Sequence, residues 1–396
     1  MLPLTTSDQQ NASLLRFPNR HNMNRRHWSL GEWLLILPAG TAGLFFVYGH
    51  EWSSDLSNPV RLGAMLGWLL CVIILAAFAV LRHAEHLATR LGEPMGTVIL
   101  TLSVTGIEVM MIAAFMYTGS GNASLARDAM FAVVMIVLNG MVGLSLLLGG
   151  LRYHEQTYNL QGANAFLAVI VPLAVLGLVM PSYTISSPGP TYSPHQSIFL
   201  IVMSLGLYGV FLAIQNLRHR DYFMAPRAIG KRKTALLHLP HPPPPGTSVW
   251  FHTILLFAYL LPLVVLSEHM AVPMDHALRL WQLPPALGGV LVAVLVLAPE
   301  SLGAVRAALA NQLQRSVNIL LGSVLASISL TIPSVLAIGF FTKSTIILGL
   351  DTVDTILLIL TFVISMLTFA VRRTNVLLGA VHLLLFWAYV MLIFEK

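Results

Sequence analysis

Two glutamates, Glu108 and Glu300, stand where acidic residues are rarely tolerated. Of the 16 Asp and Glu residues in this 396-residue chain, nearly all fall in polar breaks or at the edges of apolar runs. A transfer cost of roughly 2.5–3.5 kcal/mol for a charged side chain at a membrane-helix centre would enforce that distribution. Glu108 lies well inside GEPMGTVILTLSVTGIEVMMIAAFM (92–116), and Glu300 directly follows GGVLVAVLVLAP (288–299). An ionisable group in such a setting marks ion or proton handling, unless it only hydrogen-bonds a neighbouring helix. Away from water a carboxylate is stable only when a proton or a cation neutralises it. Two of them sharing a site could therefore hold either cargo in turn.

The surrounding residue types fit a hard cation. Thr101, Ser103 and Thr105 precede Glu108 and Ser301 follows Glu300; hydroxyls, carboxylates, carbonyls and water together can supply the six to eight oxygens that calcium takes. The lone cysteine, Cys71, argues against soft-metal chemistry and forms no intrachain disulfide. Gly106 and Pro299 lie beside the two glutamates, and Pro299 cannot donate to the carbonyl of Leu295. Broken helices at corresponding places in two halves of a chain point to a transporter site. No resident cofactor is expected. An intramembrane enzyme using the glutamates with His83, His86 or His382 is the first rival, but "HAEH" (83–86) lacks the spacing of a helical zinc site. A passive channel is the second; channels are rings around an axis, whereas two unlike halves in one chain favour alternating access.

What must position these groups is a set of membrane helices. The chain is 56% hydrophobic and 10% charged, with a mean hydropathy of +0.78, far from the roughly 25% charge of a soluble domain. Apolar windows of bilayer length predict eleven spans: 33–49, 62–81, 93–118, 129–150, 162–181, 196–216, 249–267, 284–304, 319–341, 352–371 and 375–394. With the N-terminus inside, 17 of the 22 Lys and Arg residues fall on the inner side and five on the outer. The positive-inside rule thus selects a cytoplasmic N-terminus and a periplasmic C-terminus in a bacterial inner membrane. The net charge of +6 is a topology signal on this reading, and no nucleic-acid partner is expected. The first apolar run begins too late for a cleaved leader, so 1–32 reads as a cytoplasmic tail and 33–61 as the first helix with its loop.

The break at 217–248 contains HPPPPG (241–246), an extended polyproline stretch, and reads as a basic cytoplasmic linker between two five-helix halves, 62–216 and 249–396. An odd number of helices per half sets the halves in opposite orientations. Glu108 and Glu300 then both fall on the second helix of their half, and the fourth span, with Asn139, corresponds to the ninth, which makes Ser323, Ser327 and Ser329 candidate secondary polar groups. GTVILTLSVT (96–105) and GSVLASISLT (322–331) look alike, but they join the third span to the ninth, which the inverted relation forbids; shared small-residue packing explains the likeness.

The stretches 82–109, 127–162, 297–333 and 373–394 resemble the cation/proton exchanger family of the calcium/cation antiporter superfamily, and the likeness runs from about residue 60 to the end. The resemblance implies an all-α polytopic membrane protein with eleven helices, one plus two inverted repeats of five. It also implies that the chain exports calcium, sodium or potassium in exchange for protons, with Glu108 and Glu300 in the places of the two family glutamates. Glu93 matches an acidic residue of the family's Gly-Glu pair. Thr105 and Leu297 stand where the family has asparagines, and Ala326 where it has glutamine. The site thus offers fewer amide oxygens than a strict calcium exchanger, and calcium selectivity is less firmly implied than exchange. The partners expected are the transported ions and the bilayer; self-association is left open. Cysteines introduced in the 217–248 linker and at Lys396 should label from opposite membrane faces, and labelling from the same face would contradict the eleven-span topology.

Overall fold

The computed structural model describes residues 35–92, 95–118, 123–226 and 248–395. The N-terminal tail, Glu93 and most of the basic linker expected above lie outside these residues. Eleven helical rods follow one another: α1 (Ile36–Ser54), α2 (Pro59–Leu91), α3 (Met95–Thr118), α4 (Leu125–Tyr153), α5 (Leu160–Ser182), α6 (Pro194–Arg218), α7 (Val249–Leu280), α8 (Ala286–Leu309), α9 (Leu313–Thr342), α10 (Thr352–Thr368) and α11 (Val376–Phe394). Nine of them, α2 to α9 and α11, are long and apolar enough to cross a bilayer; α10 is apolar but shorter. The all-α polytopic fold read from the sequence is the fold observed.

Short polar signals start the helices. Asn58 accepts hydrogen bonds from the Val60 and Arg61 amides ahead of Pro59 at the first turn of α2, Ser193 and Gln196 form a capping box at α6, and Asp351 caps α10 through the Asp354 amide. Each supplies an acceptor to amides that the first turn leaves unpaired. Antiparallel two-residue strands, β1 (Gln156–Thr157) and β2 (Arg373–Thr374), tie the α4–α5 connection to the α10–α11 connection.

Two features depart from the hydropathy reading. First, α2 and α7 run for 33 and 32 residues, well beyond the roughly 20 that a bilayer core requires. The apolar windows end at 81 and 267 because Arg82, His83, Glu85 and His86, and then Glu268 and His269, interrupt them. Both helices continue because they pack against each other, and tertiary packing rather than hydropathy sustains a helix. Second, the glutamate helices are unbroken: α3 passes Gly106 and α8 passes Pro299 as continuous helix. Departures from α geometry fall instead on other helices, as wider π-turns at Val175–Val179 in α5 and Ile214–Arg218 in α6, and at Met135–Met141 in α4 and Ser327–Thr331 in α9. In α9 the cause is local: Pro333 has no amide hydrogen to offer the carbonyl of Ser329.

The helices α4 and α9 form the centre. In their most apolar windows 78% of α4 and 67% of α9 is buried within the protein, against 22% for α6 and 28% for α11. Glycine lets other backbones reach α4. A Cβ on Gly289 of α8 would lie 2.5 Å from the Ala129 amide nitrogen, and one on Gly379 of α11 would lie 2.5 Å from that of Leu147. Gly289→Ala and Gly379→Ala should each lower the thermal unfolding midpoint of the purified protein, as overpacking costing about 1–3 kcal/mol does. Gly206→Ala, with open space around its Cβ, should leave the midpoint nearly unchanged; equal effects at the three positions would contradict the close helix approach.

Candidate functional site

On α3 the residues Thr97, Thr101, Thr105 and Glu108 recur at helical spacing and share one face. On α8 the matching face is Val296, Pro299, Glu300 and Gly303, and on α9 it is Ile319, Gly322, Ser323, Ala326 and Ser327. The three faces enclose a cavity of about 890 Å³ that holds both glutamates. Leu81 and Glu85 from α2 and Tyr208, Phe211 and Gln215 from α6 complete its walls.

Glu108 is 2% exposed. Its Oε2 accepts a 2.6 Å hydrogen bond from the Ser327 hydroxyl, which the π-turn of α9 carries across to α3. Its Oε1 is buried without a hydrogen-bond partner, and so is Oε2 of Glu300. The Ser323 hydroxyl neighbours the Glu300 carboxyl, and Thr331, completely buried with an unpartnered hydroxyl, lies beside Glu108. Buried polar atoms without partners are uncommon in folded proteins. Two carboxylate oxygens in that condition in one cavity, with the hydroxyls of Ser323 and Ser327 beside them, form an oxygen-rich site able to hold a cation or protons.

The other residues singled out in the sequence are distributed differently. Thr105, Ser323 and Ser327 line the cavity. Ser103 lies off that face of α3 and donates to the Ile99 carbonyl of its own helix at 2.8 Å, and Ser301 lies outside the cavity-lining face of α8. Asn139, at the π-turn of α4, belongs to a separate buried network: its amide donates to Thr361 at 2.8 Å, its carbonyl oxygen lies 3.3 Å from His382 Nδ1, and Thr368 meets His382 Nε2 at 2.9 Å. That network joins α4, α10 and α11, so His382 is remote from both glutamates in function. Glu93 lies outside the described residues. Sequence reasoning missed Glu85 and Thr331. Their signal was the helical repeat: Leu81 and Glu85 are one turn apart on α2, and Thr331 is one turn beyond Ser327.

The direction of the opening follows from the connections that line it. Thr157, Phe223, Pro226 and Gln312, on the α4–α5, α6–α7 and α8–α9 connections, line the cavity together with Arg315 at the start of α9, and Arg152, Arg218, Arg220 and Arg306 lie at the same ends of the helices. At the opposite face the α9–α10 connection closes the bundle. Its backbone amides donate to other elements, Ile347 to Ala123 at 3.1 Å, Gly349 to Pro190 at 3.0 Å and Leu350 to Leu178 at 2.7 Å, while Arg127 donates to the Gly349 carbonyl at 3.3 Å. The molecule is thus open to its basic face and stitched shut at the other.

Comparison with known proteins gives a consistent result. The family model described as sodium/calcium exchanger protein matches residues 62–217 and 251–395. The chain is 38% identical over 363 residues to the sodium-potassium/proton antiporter ChaA of Escherichia coli (strain K12), covering 92% of this chain and 96% of that protein. Among solved structures it resembles YfkE, with a TM-score of 0.69, 18% identity and coverage of 92% of this chain and all of that one. It also resembles the H+/Ca2+ exchanger CAX, with a TM-score of 0.63, 13% identity and coverage of 92% and 89%.

The geometry makes an accessibility prediction. In a Cys71→Ala background, Gln215→Cys on the cavity wall should react with a water-soluble thiol reagent added at the basic face, and Ile328→Cys, which replaces a completely buried side chain, should not. Equal reactivity of the two, or reaction of Gln215→Cys only from the opposite face, would contradict the cavity's orientation.

Proposed function

Since this chain belongs to the sodium/calcium exchanger protein family, we propose that Glu108 and Glu300 are the shared site at which it exchanges a cation for protons. The chain is a secondary antiporter of the membrane, as its family and relatives are. The observation that carries the finer reading is the pair of carboxylates, brought from α3 and α8 to one cavity, each with a buried oxygen left unpaired.

The proposed mechanism follows from the cost of charge away from water. With the cavity open, a cation desolvates into it and is met by carboxylate oxygens and by the hydroxyls of Ser327 and Ser323. Departure of the cation leaves two carboxylates whose charge is expensive to enclose, so protons replace it before the site turns to the other face. Cation and protons therefore compete, and their fluxes are coupled without covalent chemistry.

The cargo proposed is calcium, sodium or potassium, in line with the names of the relatives. With the basic face taken as cytoplasmic, in the inner membrane with the N-terminus inside, the open cavity loads the cation for export. Ser327 has a particular part: its hydrogen bond holds one Glu108 oxygen and leaves the other free for cargo.

Glu108→Gln and Glu300→Gln should each insert normally yet abolish coupled exchange, measured as cation-driven proton release from everted vesicles, whereas Glu→Asp at either position should retain weakened activity. Glu155→Gln is the control, since that carboxylate is 54% exposed and its 3.0 Å pair with Arg373 lies at the surface, where ion pairs contribute at most about 1 kcal/mol. In the wild type the apparent cation KM should rise as the pH on the cation's side falls. Wild-type exchange with unchanged pH dependence in either Gln variant would sink the two-carboxylate mechanism.

A further inference from the structure

Outside the cavity, where the extended end of α2 meets the start of α7, lies a buried chain of nitrogen atoms that the exchange mechanism does not use. His83 and His252, 2% and 6% exposed, bring their Nδ1 atoms to 3.0 Å, and Arg82 Nη2 lies 3.4 Å from His83 Nε2. The His86 ring stacks on that of His252 with centroids 4.8 Å apart, and Tyr259 stacks on His83 at 5.6 Å. The ionisable groups bearing on the pair are Arg82, His86 and Arg90 of α2, all cationic or able to become so. From α7 the neighbouring rings are Phe251 and Tyr259.

The proton positions in this chain are fixed by chemistry. A guanidinium has only donors, so His83 Nε2 must accept from Arg82. The single ring proton of His83 is then on Nδ1, which donates to Nδ1 of His252, and His252 carries its own proton on Nε2. One added proton spoils the arrangement wherever it binds. On His83 Nε2 it would set N–H against the guanidinium; on His252 Nδ1 it would set N–H against N–H across 3.0 Å. The array is intact only with both imidazoles neutral.

Its location gives it leverage. The same two turns of α2 present Leu81 and Glu85 to the cavity and His83 to α7. We propose that Arg82, His83 and His252 form a proton-operated latch between α2 and α7 that holds the cavity open to the basic face and releases when that face is acidified. Burial beside cations disfavours the charged form of an imidazole, so the switch lies on the acid side of the ordinary histidine range. The latch acts on the accessibility of the cavity, not on the cargo it binds, so it stands apart from the two-carboxylate mechanism and can be read without measuring transport.

The test uses Gln215→Cys in the Cys71→Ala background as the reporter and follows its rate of reaction with an uncharged maleimide in the purified protein from about pH 8 down to about pH 4.5, past the ordinary histidine range. The reference is the same reporter in His252→Gln, whose amide offers both a donor and an acceptor and never charges. The rate relative to this reference should fall several-fold on acidification. Arg82→Gln provides a second reference should His252→Gln fold poorly: its amide can turn its oxygen toward a protonated His83, so the tie survives acid and the reporter should lose its excess pH dependence. Curves that stay parallel between the latch-intact protein and the folded variants would overturn the proposal.

Discussion

A charge enclosed away from water must be neutralised, and the arrangement of this protein depends on how that is done for Glu108 and Glu300. A single carboxylate in the bundle could be satisfied by hydrogen bonds alone. Here each has an oxygen without a partner, and both face one cavity of about 890 Å³. The hydroxyl of Ser327 satisfies part of Glu108 but supplies no countercharge. The remaining neutralisation comes from something that arrives and leaves, and that requirement is the physical core of exchange.

Meeting it demands that several helices approach closely without enclosing the site completely. Glycines on α8 and α11 bring those backbones onto α4, and α4 and α9 occupy the middle of the bundle. Both of these central helices contain a π-turn. In α9 the turn carries Ser327 to Glu108; in α4 it carries Asn139 into a buried network with Thr361 and His382. The two helices share the same backbone device and put it to different uses, one beside the glutamates and one in fixing the bundle. Single-turn π-bulges of this kind often mark functional positions.

The asymmetry between the two faces has a similar basis. At one face the α9–α10 connection spends its backbone amides on three separate elements, which seals the bundle. At the other, the α4–α5 connection is tied to its neighbours, to β2 by strand pairing and to Ala308 and Asp221 by Gln156 and Asn159, and the cavity reaches Arg315 beside them. The long helices α2 and α7 bridge these regions, since α2 both walls the cavity and holds α7 through paired imidazoles.

Hydropathy and charge by themselves determined the eleven helices, the side on which the basic residues gather and the two glutamates out of place in apolar surroundings, because bilayer thickness and the cost of buried charge act on sequence directly. Helix rotation and contact were decided only by the tertiary structure. Ser103 and Thr105 are two residues apart, yet one bonds its own backbone and the other lines the cavity; Ser301 adjoins Glu300 and points elsewhere. The lengths of α2 and α7 were hidden because their polar turns are stabilised by each other rather than by lipid. Glu108 meets Ser327 across 219 residues and His83 meets His252 across 169, and no local pattern encodes such a pairing, since it is the packing of whole helices that brings their faces together.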